Sequence, residues 1–249
     1  MGERENSGNT SEPRYWAIIP AAGVGRRMQT DLTPATIPKQ YLQLNGRTIT
    51  EHTLHRVSQL SCLSGIVLVV GKQDNWWQAL NIELQPEFMT AEGGAERANS
   101  VLNGLLSLHA HAAAEDWVLV HDVVRPCVAL QDMEKLISRF TDDAVGGILA
   151  APVRETLKRV NADFSIAATV PREHYWLAAT PRMFRYGLLR NALERALAED
   201  LLITDESHAM EYAGHAVKVL QGSSENIKIT QAEDIFLAEQ IINKQARHD

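Results

Sequence analysis

Ile18-Ile19-Pro20-Ala21-Ala22-Gly23-Val24-Gly25-Arg26-Arg27-Met28 closes the first apolar stretch of the chain, and Pro38-Lys39-Gln40-Tyr41-Leu42 follows after a short gap. An apolar strand, Trp16 to Ile19, runs into a loop of small residues with two glycines. Small residues let a backbone approach a ligand closely, and successive amides cradle phosphate oxygens. Arginine and lysine supply the charge that a polyphosphate needs. The stretch therefore reads as a strand feeding a nucleoside triphosphate site. Pro20, Ala21, Ala22, Gly23 and Gly25 offer backbone, and Arg26, Arg27 and Lys39 offer charge. It is not a P-loop, because G-x-x-x-x-G-K-[ST] is absent, and Met28 stands where the dinucleotide fingerprint needs its third glycine. A strand-to-helix turn with surface arginines is the alternative this one segment leaves open.

Outward from that loop, strand-like and helix-like segments alternate. Gly65–Val70, Trp117–His121 and Gly147–Ala151 are near-continuous apolar runs, which suit parallel strands covered on both faces. Helices are expected over Thr50–Leu60, Arg97–His109, Gln131–Phe140 and Ala232–Gln245, and Leu188 to Leu197 carries a helical stripe read as packing. The order predicts an α/β fold: a single Rossmann-like, mostly parallel sheet flanked by helices, with right-handed crossovers. In such sheets ligands sit outside the carboxyl ends of the strands, where the loops at Gly23, Gly94 and Asp122 fall.

One segment breaks the alternation. Residues 154–172 read as two short strands about a turn at Asn161-Ala162-Asp163, an arm outside the main sheet. An isolated hairpin is marginal, so it needs a partner; a flexible surface lid is the other reading. Pro171 restricts Val170 to extended geometry, which suits a strand end.

The chain has 249 residues, with 45% hydrophobic and 22% charged, the balance of a globular protein able to bury a sizeable core. Its net charge of −7 argues against general nucleic-acid binding and requires cations to be gathered locally for an anionic substrate. Two cysteines, Cys62 and Cys127, form no disulfide framework or C-x-x-C spacing, which fits a reducing, cytoplasmic setting. No apolar run approaches a membrane span, so no membrane partner is expected. Residues 1–14 read as a disordered polar tail and 15–249 as one nucleotidyltransferase domain.

Several segments, in order, carry a resemblance: P-A-A-G-V-G-R-R-M at Pro20 to Met28, P-K-Q-Y-L at Pro38 to Leu42, G-G-A-E-R-A-N-S-V at Gly93 to Val101, V-H-D-V-V-R-P at Val120 to Pro126, A-A-P-V-R-E-T-L-K-R at Ala150 to Arg159, T-D-E at Thr204 to Glu206 and N-I-K-I-T at Asn226 to Thr230. The chain resembles the sugar-nucleotidyltransferase superfamily and, within it, the 2-C-methyl-D-erythritol 4-phosphate cytidylyltransferases of non-mevalonate isoprenoid synthesis. The resemblance implies transfer of a cytidylyl group from CTP to a sugar-alcohol phosphate with release of pyrophosphate. Ribitol-5-phosphate cytidylyltransferase, which differs in the sugar pocket, is the nearest alternative. A nucleotide-binding regulatory module without catalysis is a more distant one, disfavoured because Arg27, Lys39, Asp122 and Lys228 are all present. The chain length leaves no room for a fused second enzyme.

The resemblance also implies roles. Arg27 and Lys39 stabilise charge on the α-phosphate and the leaving pyrophosphate, with Arg26 either a helper or an exposed bystander. Gly94, Ala95 and Ser100 lie where the family recognises cytosine, Ala95 standing where it more often has Asp; Ser100 is otherwise a plain helix residue. Asp122 binds Mg²⁺ as cofactor or else caps a loop, and Val123 and Val124 replace the more usual alanines, tightening the pocket. His121 is read as structural, not as a base, and Arg125 as a loop anchor. Thr156, Arg172, Thr180, Asp205 and Lys228 surround the sugar phosphate, with Arg172 and Lys228 catalytic cations. Helix capping by Thr204 or Asp205 is the stronger alternative for Asp205 and Glu206, and Lys228 reads otherwise as an exposed lysine of a short strand. The arm implies a homodimer, Thr156 and Arg172 reaching into the partner's site. The loop before Lys39 is longer than is usual in the family, which suggests a more mobile delivery of that lysine.

Overall fold

Strand β1 (Tyr15–Pro20) shows why the apolar runs are unbroken: Trp16 and Ile18 face one core and Ala17 and Ile19 the other. The computed structural model describes residues 12–23 and 37–247, so Gly25, Arg26, Arg27 and the long loop before Lys39 as far as residue 36 lie outside the described residues. The chain continues through a small hairpin, β2 (Gln43–Leu44) and β3 (Arg47–Thr48), into α1 (Ile49–Ser58), β4 (Leu63–Val70) and β5 (Glu87–Glu92). Then come α2 (Arg97–Ser107), β6 (Trp117–Val120), α3 (Leu130–Phe140) and β7 (Gly146–Pro152). The arm, β8 (Leu157–Val160) and β9 (Ile166–Val170), leads into β10 (Trp176–Arg185), α4 (Tyr186–Ala198), α5 (Glu206–Tyr212), β11 (Lys218–Gln221) and α6 (Glu233–Gln245).

The main sheet has seven strands in the order β11-β7-β10-β6-β1-β4-β5. β1 pairs in parallel with β4 and β6, β4 with β5, and β7 with β11. Side chains of α1, α3 and α6 fill one face, where Leu54, Met133, Leu136 and Ala238 meet Ile66, Leu68 and Trp117. Those of α2, α4 and α5 fill the other, where Val101, Leu105, Leu189 and Met210 meet Val67, Val69 and Val118. α1 is started by a reciprocal cap: Thr48 Oγ1 accepts from the Glu51 amide at 3.1 Å and the Glu51 carboxylate from the Thr48 amide at 2.7 Å.

Apart from the short strand expected at Lys228, the expected strands and helices form within a residue or two. The sheet differs from expectation at β10, which runs antiparallel between β6 and β7. Its sequence contains Pro181, which argues against a strand; a register shift between Ala178 and Arg182 accommodates it. β5 and β11 are sheet edges with half-polar sequences and carry no apolar run to reveal them. Lys228 does not lie in a strand; residues 222–230 form an irregular connection. Arg14 is not part of a loose tail. Its amide donates to Asp116 at 2.9 Å and its carbonyl accepts from Trp117 at 2.8 Å, extending β1 against β6.

The arm is a two-stranded antiparallel ladder outside the main sheet, with Val160, Phe164 and Ile166 exposed. Cys62 and Cys127 are unpaired. No helix among the described residues is long and apolar enough to cross a membrane.

Candidate active site

A cavity of about 420 Å³ opens at the carboxyl ends of β1, β5 and β6, beside the point where the chain stops winding toward β5 and returns to the other side of β1. Pro20, Ala21, Ala22, Gly23, Lys39, Gly94, Ala95, Ser100, Asp122 and Lys228 all line it. Gln40, Glu96, Arg97, Val123 and Val124 complete the lining. Loops far apart in sequence thus converge as the strand ends dictate.

One wall is built from close backbone approaches. Gly93 has no room for a side chain: a Cβ there would lie 2.3 Å from Ala22 Cβ. The Gly93 amide donates to Val70 O at 2.7 Å, so the loop after β5 is laid against the end of β4. Ser100, buried in the first turns of α2, accepts from the Gly94 amide at 3.1 Å and donates to Glu96 O at 3.1 Å. Ser100 therefore shapes the loop rather than presenting a free hydroxyl, and the Gly94 amide is already engaged.

Asp122 follows β6 and is the hub of the opposite wall. Its Oδ1 receives Arg97 through Nε at 3.0 Å and Nη2 at 2.8 Å. Its Oδ2 receives Lys228 Nζ at 2.9 Å, with Arg125 Nε at 3.7 Å. Burial works against the Asp122 charge, but Arg97 and Lys228 outweigh it and hold the carboxyl well below the usual carboxylate range. Arg97 reaches on to Glu206 Oε1 at 2.6 Å, and the buried Glu206 also pairs with Arg182. Arg182 in turn holds Asp205 at 3.1 Å. Burial opposes the Glu206 charge too, and the two arginines lower its pKa despite it. This chain of alternating charges ties α2, α5, β10 and the Lys228 segment together.

Sequence reasoning singled out neither Arg97 nor Arg182. Arg97 lay inside the G-G-A-E-R-A-N-S-V segment, and its place at the first residue of α2 was the available signal. Arg182, next to Pro181 in an unexpected strand, carried none.

Thr180 was assigned to the sugar phosphate. Its side chain is instead fully buried behind Asp122, accepting from the Asp122 amide at 3.1 Å and bonded to His121 Nδ1 at 2.9 Å. Asp205 forms the N-cap of α5, accepting from the His208 amide at 2.9 Å, so the capping reading describes its contacts. His121 is buried and bonds to Arg125 O at 3.0 Å, and burial pushes its imidazole down to about 4, so it is a neutral structural group. Arg125 donates to Asn226 O at 2.6 Å and anchors the segment that carries Lys228. Thr156 and Arg172 are exposed on the flanks of the arm and do not line this cavity.

Among the described residues no group of three or more His, Cys, Asp or Glu side chains converges to cage a metal. Asp122 offers the cavity one ionised carboxylate, the donor set that suits a hard cation carried in largely on phosphate oxygens.

The profile of the family described as IspD, 2-C-methyl-D-erythritol 4-phosphate cytidylyltransferase, matches residues 15–244. A curated relative of that name from Pseudomonas entomophila is 50% identical over 224 residues, 90% of this chain and 93% of its own. Its Pseudomonas aeruginosa counterpart is 47% identical over 225 residues, 90% of this chain and 94% of its own. The crystal structure of the Francisella tularensis enzyme superposes with a TM-score of 0.78 at 33% identity, covering 92% of this chain and 99% of that one.

Proposed function

We propose how the site works on the premise that these matches establish: the chain belongs to the 2-C-methyl-D-erythritol 4-phosphate cytidylyltransferase family. It transfers a cytidylyl group from CTP to 2-C-methyl-D-erythritol 4-phosphate, giving 4-diphosphocytidyl-2-C-methyl-D-erythritol and pyrophosphate in isoprenoid biosynthesis. The residue roles that follow are our own reading.

CTP occupies the cavity, its base against Gly94, Ala95 and Ser100 and its phosphates over Pro20 to Gly23. Arg27 and Lys39 serve as the cations of the triphosphate, with Arg26 as a helper. An oxygen of the sugar phosphate attacks the α-phosphorus, and the bond to the pyrophosphate oxygen breaks in line. That oxygen is already ionised at neutral pH, so no general base is required. The work is positioning two anions and neutralising charge as it gathers on the leaving group.

Lys228, which lines the cavity, guides the incoming phosphate, exchanging its Asp122 contact for it. Thr180 acts through Asp122, and Asp205 through Arg182 and the start of α5. Asp122 would hold Mg²⁺, which when bound with the triphosphate withdraws charge from the phosphate oxygens. The observation that carries this reading is the 2.9 Å contact between Asp122 and Lys228, 106 residues apart, at the cavity that the phosphate loop and the Gly94 loop share.

The enzyme works as a homodimer, the partner's arm bringing Thr156 and Arg172 to the sugar phosphate. The support is the unpaired ladder and the exposed Phe164, Ile166 and Leu177 around it. The acidic net charge supports a chain without a nucleic-acid partner, and the unpaired cysteines support a cytoplasmic location.

Pyrophosphate release from purified protein tests the reading. Turnover is expected with CTP and methylerythritol phosphate, and not with UTP, ATP or ribitol 5-phosphate. EDTA should abolish it and Mg²⁺ restore it, with Asp122→Asn weakening the rescue. Equal turnover with ribitol 5-phosphate, or full activity in EDTA, contradicts the reading.

A further inference from the structure

Residues 39–41 form a single turn of 3-10 helix at the far end of the phosphate loop, and the turn is fastened on two sides. Gln40 is buried, and its side-chain amide donates to Ala21 O at 2.7 Å, at the point where the loop leaves β1. Ala21 is itself held from β4, its amide donating to Val69 O at 2.7 Å. The carbonyl of Gln40 accepts from Thr50 Oγ1 at 2.8 Å, which ties the turn to α1.

Tyr41 is buried as well, and its hydroxyl donates to Asp74 Oδ2 at 2.7 Å. The other oxygen of Asp74 accepts from the Trp76 amide at 2.9 Å, and the Asp74 amide donates to Gly71 O at 2.9 Å. The carboxylate is therefore fixed by the turn after β4 before Tyr41 reaches it. The half-exposed Trp76 lies over the Tyr41 ring, 6.2 Å between centroids and 21° between planes. Burial and the neighbouring Asp74 push the Tyr41 phenol far above its ordinary range, so it remains a donor.

Lys39, between these anchors and the loop, lines the nucleotide cavity. A lysine that must meet a developing charge is useful only if its backbone is held in place, because a point charge on a flexible stem gains little from a wandering base. We propose that Gln40 and Tyr41, anchored on Ala21 and Asp74, are positioning residues that set Lys39 against the β- and γ-phosphates of the bound nucleotide. This rests on the reading of Lys39 as a triphosphate cation. The two hydrogen bonds tie residues 40 and 41 to the chain just beyond β1 and β4, so the backbone of Lys39 is held in one place relative to Ala21.

Equilibrium binding of CTP and of CMP, measured side by side, tests the proposal, because CMP lacks the two phosphates that Lys39 serves. Tyr41→Phe keeps the buried ring and removes only the hydroxyl, and Gln40→Met keeps the volume and removes the amide. Each should weaken CTP by about tenfold, the worth of one well-placed hydrogen bond, and leave CMP within about twofold. Asp74→Asn should behave like Tyr41→Phe to a lesser degree, since a carboxamide oxygen still accepts. A merely structural role moves both nucleotides together.

Unchanged CTP affinity in Tyr41→Phe and Gln40→Met, or equal weakening of CTP and CMP, overturns the proposal. Should Gln40→Met fail to fold, Tyr41→Phe decides alone. Lys39→Ala is the reference: if it does not separate CTP from CMP, the triphosphate role of Lys39 fails, and the positioning role falls with it. Separation in Lys39→Ala without separation in Tyr41→Phe rejects the positioning role only.

Discussion

Thr180 and His121 settle each other's protons. Arg125 O, a carbonyl, can only accept, so His121 Nε2 carries the hydrogen. In the neutral ring Nδ1 then accepts, and the Thr180 hydroxyl donates to it while its oxygen accepts from the Asp122 amide. The ring is neutral, and both its nitrogens are used to fix the start of the Asp122 loop. Burial lowers the His121 pKa from 6.5 to about 4 in the folded state. Between those values the unfolded chain binds the extra proton, so stability is full above about pH 6.5 and is lost as pH falls toward 4. For a fully buried ring the loss approaches about 3 kcal/mol. Thermal melts in chelator across that range should fall steeply for the wild type. In His121→Asn they should start lower and fall less; an unchanged slope contradicts the assignment.

At the scale of elements, the loop from β5 into α2 works because Gly93 lets it lie against Ala22. Gly93→Ala should force the loop off the phosphate loop, with an overpacking cost of roughly 1–3 kcal/mol and weakened CTP binding. The nearest obstacle is Ala22 Cβ at 2.3 Å, so Ala22→Gly in the same chain should recover much of both losses. Melting temperature and CTP affinity report the two effects; no recovery in the double variant means that the crowding lies with Ser100 Oγ or Val70 O, each 3.2 Å away. The legibility of these elements divides along the same line. Gly94 could be read from sequence as a point of close approach, and the apolar runs of β4 and β6 as doubly covered strands, whereas the tighter approach at Gly93 was not. The role of Ser100 as a brace could not, because its partners depend on how α2 docks. β10 was hidden by Pro181, a residue whose local preference the sheet overrides with a register shift.

For the whole molecule, the proposal that two chains share one active site rests on the arm. It leaves Val160, Phe164 and Ile166 at 52%, 86% and 64% exposure on a ladder of only two strands, which water alone does not stabilise. If the partner's arm supplies Arg172, Arg172→Ala should raise the KM for methylerythritol phosphate far more than that for CTP. Mixing Arg172→Ala chains with Arg27→Ala chains should then restore part of the activity, because one of the two sites in a heterodimer holds both intact residues. Absence of recovery in a verified heterodimer, or a fully active monomer at assay concentration, rejects the shared site.

The sequence by itself determined the layered α/β core, the loop of small residues after β1, the two-stranded arm and the family. These are local: they follow from the period of apolar residues, from small residues in a loop and from short motifs in order. Only the tertiary structure decided that Asp122 is held between Arg97 and Lys228, and that Glu206 binds Arg97 across 109 residues of sequence. It alone turned Thr180 inward behind Asp122 and inserted β10 against the direction of its neighbours. Charges pair according to which strand ends and helix starts are brought side by side, and that depends on strand order. No local pattern encodes strand order, because each strand's apolar run fits either neighbour equally well.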